Sequence, residues 1–281
     1  MMSHDDPLPA ASHPRRRRND RAEKLTPTEH PTWLKEVLAA QEAQWRAVVH
    51  ASPFERALEG PFPRAGWRQI VLDFFVVVES FPKYLGLGLA KTTYGQRPLD
   101  AVVRHWFIEN LQVESLHVQW YLDWAAAYGI TAEELCAHQP VPEVAALAEW
   151  LWSSSLRGTL PESVAAVNYA IEGTTGEWCR RVLPAFQAEH GIGSRSTTWL
   201  RAHGRYDDAH HVEALEIVKL YTSSPAEIRA VDAATRRSLD LFAAALEASF
   251  QAGERRRSSQ DRREAPIMSA GLEMAHVVRQ G

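Results

Sequence analysis

Three stretches of the sequence place acid and imidazole side chains where they could share a cation. In Glu114-Ser-Leu-His117 the two polar residues stand at i and i+3, one above the other on a helix. Such a pair can hold a metal between helices, although alone it is more often a surface contact. The second stretch runs from His203 through Asp207 and His210 to Glu213. At about 100° per residue, Asp207 falls about 40° from His203 and His210 about −20°, so the three share one stripe. His211 falls near 80° and Glu213 near −80° on the same wheel, off either edge. His210 is therefore preferred over His211, and Glu213 is a candidate for supporting a ligand. A solvated polar face is the plain alternative, but Ala214, Leu215, Ile217 and Val218 follow at once and place the stripe beside core. The third stretch, Asn168 to Trp178, carries Glu172 among apolar neighbours. A buried carboxylate needs a cation or strong donors, and a structural salt bridge would also serve. Gly173 and Gly176 beside it would admit a closely packed backbone.

Together these stretches offer three carboxylates and three imidazoles: Glu114, His117, Glu172, His203, Asp207 and His210. Mixed nitrogen and oxygen ligation suits iron or manganese, and the lack of clustered cysteine argues against a thiolate zinc site. Six such groups can hold two metal ions and leave positions open for dioxygen.

Positioning them requires helices, and helical periodicity dominates the chain. Helices are expected over Pro31–His50, Gly66–Thr92 with a kink or break at Pro82, Pro98–Tyr128, Val144–Ser154, Leu160–Ala188, Thr197–Tyr221 and Pro225–Gln251. Pro53, Pro61 and Pro63 mark a loop after the first. Gly129 is a candidate left-handed cap. Thr131-Ala-Glu-Glu134 reads as a capping box opening a short helix. Ser224-Pro225-Ala-Glu227 supplies an N-cap, a first-turn proline and a third-position glutamate. No strand-like alternation or internal repeat occurs. The expected fold class is all-α, a single bundle of seven to eight helices. Residues 1–27 are expected as a disordered tail, 28–251 as the domain and 252–281 as a polar tail.

The 281 residues include 12 histidines, two cysteines (Cys136 and Cys179) and a formal charge of −4. That balance gives no footing for nucleic-acid binding. Two cysteines make no disulfide framework and fit a cytoplasmic compartment. The basic run Arg15–Arg18 lacks the apolar segment of a targeting signal, and no run is long enough to span a bilayer. Ile70–Val78 reads as a buried helix. Phe74, Phe75, Val78, Phe81, Tyr84, Trp106 and Trp120 are candidates for an apolar slot, or for plain core packing. Glu79 is either a support for the site or half of a buried salt bridge.

The ordered pattern Glu-x-x-His, isolated Glu, His-x-x-x-Asp-x-x-His resembles the haem-oxygenase-like di-iron oxidases, built on the TenA/PqqC-like scaffold. The carrying stretches are Val113–His117, Asn168–Trp178 and Tyr206–Ile217, with weaker likeness at Val76–Phe81 and Ala90–Thr92. The likeness spans about Pro31 to Phe250 and is strongest to the UndA-type medium-chain fatty acid decarboxylases. That resemblance implies two Fe(II) ions, with manganese as a possible substitute, held by Glu114, His117, Glu172, His203, Asp207 and His210. It implies dioxygen as co-substrate, a medium-chain fatty acid or similar small carboxylic acid as substrate, a terminal alkene and carbon dioxide as products, an external electron donor, and a homodimer as an option. Relatives with the same ligand pattern imply an amino acid or natural-product intermediate as an alternative substrate. The scaffold also admits a metal-free, thiaminase-like hydrolase, for which Cys179 is the candidate nucleophile, or a non-enzymatic regulator.

Overall fold

The computed structural model describes residues 24–95, 97, 99–189 and 191–264; of residues 205–209, 263 and 264 it describes the backbone alone. Among the described residues there is no strand, and the chain folds as helices around one core. In order these are α1 (Thr32–Val49), α2 (Ser52–Leu58), α3 (Arg64–Asp73), α4 (Phe75–Ala90), α5 (Asp100–Ala126), α6 (Ala132–Ala137), α7 (Pro142–Arg157), α8 (Leu160–Val164), a π-helical segment (Ala165–Glu172), α9 (Gly173–Ala188), α10 (Thr198–Tyr221) and α11 (Pro225–Glu264).

The all-α class holds, with shorter and more numerous helices than expected. The segment after α1, expected as a loop, contains α2, opened by Pro53 in its first turn. The long apolar helix is interrupted at Phe74 (φ −80°, ψ −4°), not at Pro82, which α4 carries in its interior. α4 packs on α5 and α7, and that burial holds it through the proline. Thr131 accepts a hydrogen bond from the Glu134 amide, as the sequence implies. Gly129 adopts φ +70°, a left-handed conformation that favours glycine. A full capping box at Thr159 and Glu162 opens α8. α11 runs to Glu264, past the expected end at Gln251. Leu25, inside the expected N-terminal tail, is buried, and just beyond it Glu216 accepts from the Thr28 amide and hydroxyl at 2.9 and 2.8 Å. Arg15–Arg18 lies outside the described residues. No described helix is long and apolar enough to cross a membrane.

The core is unusually aromatic, with Trp67, Trp124, Tyr121, Phe54, Phe107 and Phe186 all fully buried. One buried carboxylate, Asp73 at the end of α3, is well satisfied. Gln69 Nε2 lies 3.0 Å from it, His138 Nε2 2.6 Å and Ser249 Oγ 2.6 Å. That network ties α3 to the end of α6 and to α11. It sets the standard against which the other buried acids stand out.

Candidate metal centre

α5 presents its buried stripe at helical spacing: Asn110, Glu114, His117, Tyr121 and Trp124. The π-helical segment ends on Glu172, and α10 adds Trp199, His203 and His210 from the opposite side. α10 packs directly on the π segment and on α9. Gly173 makes that approach possible, because a Cβ there would lie 2.7 Å from Trp45 Cη2 and 3.0 Å from His211 Cβ. The close neighbours are thus side chains, where the sequence suggested a backbone. A π segment widens the helix by one residue per turn and is found at functional sites; here it ends at the carboxylate in question.

Glu114, His117, Glu172 and His203 line one internal chamber, and all four are buried. His210 Nδ1 lies 2.9 Å from Glu172 Oε1, and Asn168 Nδ2 donates to Glu172 Oε2 at 3.0 Å. Five of the six expected residues therefore meet. The Asp207 side chain lies outside the described residues. His211 turns away and packs against Trp45, with ring centroids 6.4 Å apart, as the helical wheel implied. Glu213 accepts from Trp106 Nε1 at 2.7 Å and lies close enough to His210 to favour its charged form.

Two acids face each other here, and only one of them is balanced. Burial raises the Glu114 carboxyl well above the usual range, and the charge of Glu172 adds to it. No described hydrogen bond reaches Glu114. His117 Nδ1 lies 2.6 Å from Glu114 Oε2, yet that nitrogen has no hydrogen-bond partner of acceptable geometry. Two donor atoms thus crowd one point without bonding each other. Burial alone would raise Glu172 as well, but hydrogen bonds from His210 and Asn168 outweigh it and hold this carboxylate below the usual range. Burial pulls His210 down, and its hydrogen bond to Glu172 reverses this and pushes it up to about 9. His117 is pushed down to about 4 by burial, and His203 well below its ordinary value by burial and by His117 beside it. Both are neutral imidazoles with a lone pair to give. In His203, Nδ1 donates to the Trp199 carbonyl at 2.8 Å, which leaves Nε2 as the free lone pair. The His117 and His203 rings stand 4.5 Å apart.

Among the described residues no three of these groups are yet spaced as ligands of one ion. Their chemistry nevertheless fits iron: hard carboxylates, neutral imidazoles, no thiolate, and an acid left unpaired at the centre.

A family model described as iron-containing redox enzyme matches residues 68–243. The chain belongs to this family. The matched region holds every residue of the cluster. The chain also shares its haem-oxygenase-like fold with solved structures. A TenA homologue from Pseudomonas syringae pv. tomato DC3000 is 29% identical, with a TM-score of 0.75 over 82% of this chain and all of that one. A domain of unknown function from Shewanella denitrificans OS217, with a haem oxygenase-like fold, is 20% identical, with a TM-score of 0.67 over 80% of this chain and 95% of that one. A TenA family transcription regulator from Silicibacter sp. TM1040 is 17% identical, with a TM-score of 0.62 over 78% and 96% of the two chains. No curated protein matches.

Several participants were not singled out by sequence. Asn168 and Trp199 each stand four residues before a candidate ligand, and that spacing was the available signal. Of the slot candidates, Phe74, Val78 and Phe81 line the chamber. Phe75, Tyr84, Trp106 and Trp120 are not among its lining. Glu79 forms a half-exposed pair with Lys83 one turn on, so neither expected role applies.

Proposed function

We propose that this iron-containing redox enzyme binds two ferrous ions at Glu114, His117, Glu172, His203, Asp207 and His210, and oxidises a carboxylic acid with dioxygen. A medium-chain fatty acid losing carbon dioxide to give a terminal alkene is the leading substrate. The observation that carries this reading is the chamber itself. It is apolar along Ile70, Phe74, Val78, Phe81 and Phe242, and its ionisable acids and imidazoles gather at one place. That shape suits an alkyl chain with one acidic end.

Iron, when bound, supplies dioxygen binding and electron exchange. The chain's own residues do the rest. The aromatic walls hold the alkyl chain and exclude water. Glu172 and Asn168 fix the His210 ring, which keeps a proton at Nδ1. The Trp199 carbonyl fixes the His203 ring. In the overall reaction the acid loses a β-hydrogen and its carboxyl group, supplying two electrons. An external donor supplies two more with two protons, and dioxygen leaves as two waters.

Protein reconstituted anaerobically with iron is given dodecanoic acid, reductant and air. The headspace then contains 1-undecene. Iron-loaded protein that yields neither this alkene nor its neighbouring homologues ends the fatty-acid reading. A second reading keeps the centre and changes the substrate to an amino acid or natural-product intermediate. The chamber volume, about 60 Å³, is well below the roughly 300–1,000 Å³ of ordinary ligand pockets, and among these substrates it favours a short acid. Oxygen uptake across a panel of acids separates the two. The hydrolase alternative needs a thiol at the chamber, and Cys179, fully buried, is not among its lining.

A further inference from the structure

The candidate centre has a second approach, through His210 and not through the chamber. A cleft of about 470 Å³ lies between the first half of α5, the part of α10 that carries His210 and Glu213, and the chain at Lys24 and Leu25. On α5 it follows Val102, Trp106 and Asn110, a buried stripe at four-residue spacing whose next member is Glu114. On α10 it reaches His210, whose Nδ1 lies 2.9 Å from Glu172 Oε1. His210 lines the cleft and is absent from the chamber wall. The cluster thus stands between two cavities, and they differ in character.

Each cavity suits a different cargo. Of the side chains lining the chamber, all but Val78 are buried, and most are aromatic or aliphatic. A hydrated dication entering such a passage meets the desolvation cost before any ligand can offset it. In the cleft, exposure falls toward the centre while ionisable groups continue inward. The Glu109 side chain is 49% exposed, that of His210 18% and that of Glu172 4%. Glu213, half-buried on the facing helix, is held through one oxygen by Trp106 Nε1 at 2.7 Å. Asn110 and Gln112 add neutral amides. Among the described residues lining the cleft, Lys24 is the one fixed cation, and it is exposed.

We propose that this cleft is the port by which ferrous iron reaches the candidate centre, with Glu109 and Glu213 drawing the cation inward and Lys24 opposing it at the mouth. The proposal rests on the iron reading above and adds a route to it. Glu109 stands outside the expected ligand set, so its charge acts on arrival and not on retention. A charge at a rim changes the rate of association more than the final affinity. Its influence also fades as salt shortens the reach of the field. Leu25, buried beside Lys24, seats that end of the chain against the cleft.

Uptake kinetics test the port without turnover. Metal-free protein is mixed anaerobically with ferrous iron at low salt. A fast coloured chelator, added at intervals, reports the iron not yet taken up, and iron per chain is measured at the end. Glu109→Gln slows uptake and Lys24→Gln speeds it, each several-fold, on the order of 3–10. Final iron content equals the parent's in both, and at high salt the three rates converge. The opposite signs exclude a damaged fold, which would impair both variants alike. Glu79→Gln and Lys83→Gln, a half-exposed pair beside Val78 on the chamber side, leave the rate unchanged. Rates that ignore Glu109 and Lys24, or that follow Glu79 and Lys83 instead, overturn the port and leave the centre standing. A lower final iron content in Glu109→Gln makes that residue a ligand and overturns its role as a guide. A parent that holds no iron at the end removes the centre, and the port with it.

Discussion

Asn168 shows how much a neutral side chain can contribute to a charged site. Its amide holds one oxygen of Glu172 at 3.0 Å while His210 takes the other at 2.9 Å. With both oxygens engaged, the carboxylate has one orientation. Losing a partner of this kind costs typically about 10–100-fold in metal affinity, and that is the loss expected for Asn168→Ala in an anaerobic ferrous titration. An unchanged affinity would mean that Asn168 only fills space. The residues bearing charge were legible in the sequence, because an acid or imidazole in an apolar helix needs a reason to be there. Asn168 and Trp199 were not, because an amide and an indole are ordinary helix occupants. Only the observed hydrogen bonds distinguish them.

At the scale of elements, periodicity locates helices but is blind to hydrogen-bond register. The π segment keeps the apolar pattern of its neighbours, so Leu160–Ala188 reads as one helix. The end of α11 was missed for the opposite reason. From Arg255 to Glu264 the pattern is polar all round, so the apolar stripe stops while helix propensity continues. Arg257 reaches both Glu254 and Asp261 along that surface, at 3.3 and 3.4 Å. The start of α11 was readable from Ser224 and Glu227, and it carries a pH signature. Amides of Ser223 and Ser224, aided by their hydroxyls, donate to Glu227 and hold its carboxyl down at about 2. Because the folded value lies below the ordinary 4.5, the stabilisation is complete above that ordinary value and is lost as pH falls through about 2. Glu227→Gln therefore melts below the parent at neutral pH, and the gap narrows as the solution is acidified below the ordinary value. A gap independent of pH in a melting series would show that the charge plays no part.

Across the whole molecule, the candidate centre joins segments far apart in the chain: α5, the π segment and α10. An unpaired acid buried where they meet opposes folding, since a buried charge without a partner is costly. A bound cation removes that cost and cross-links the three elements. Glu114→Gln separates the two effects, since the amide keeps the shape and discards the charge. Metal-free, this variant melts at or above the parent. With ferrous iron at about 100 times its dissociation constant, the parent gains roughly 2.7 kcal/mol, and the variant gains markedly less. Melting curves of both proteins, with iron and with a chelator, give the four values needed. A parent indifferent to iron would remove the centre. A metal-free variant less stable than the parent would mean that Glu114 is a structural acid, held by contacts its charge requires. The Asp73 network provides the internal contrast. There the acid already has three partners, and the same change to amide should destabilise the fold whether or not iron is present, because it removes an acceptor from a satisfied set. Two buried carboxylates in one core would then respond in opposite directions to the same substitution, and the sign alone would tell a site kept for chemistry from one kept for structure.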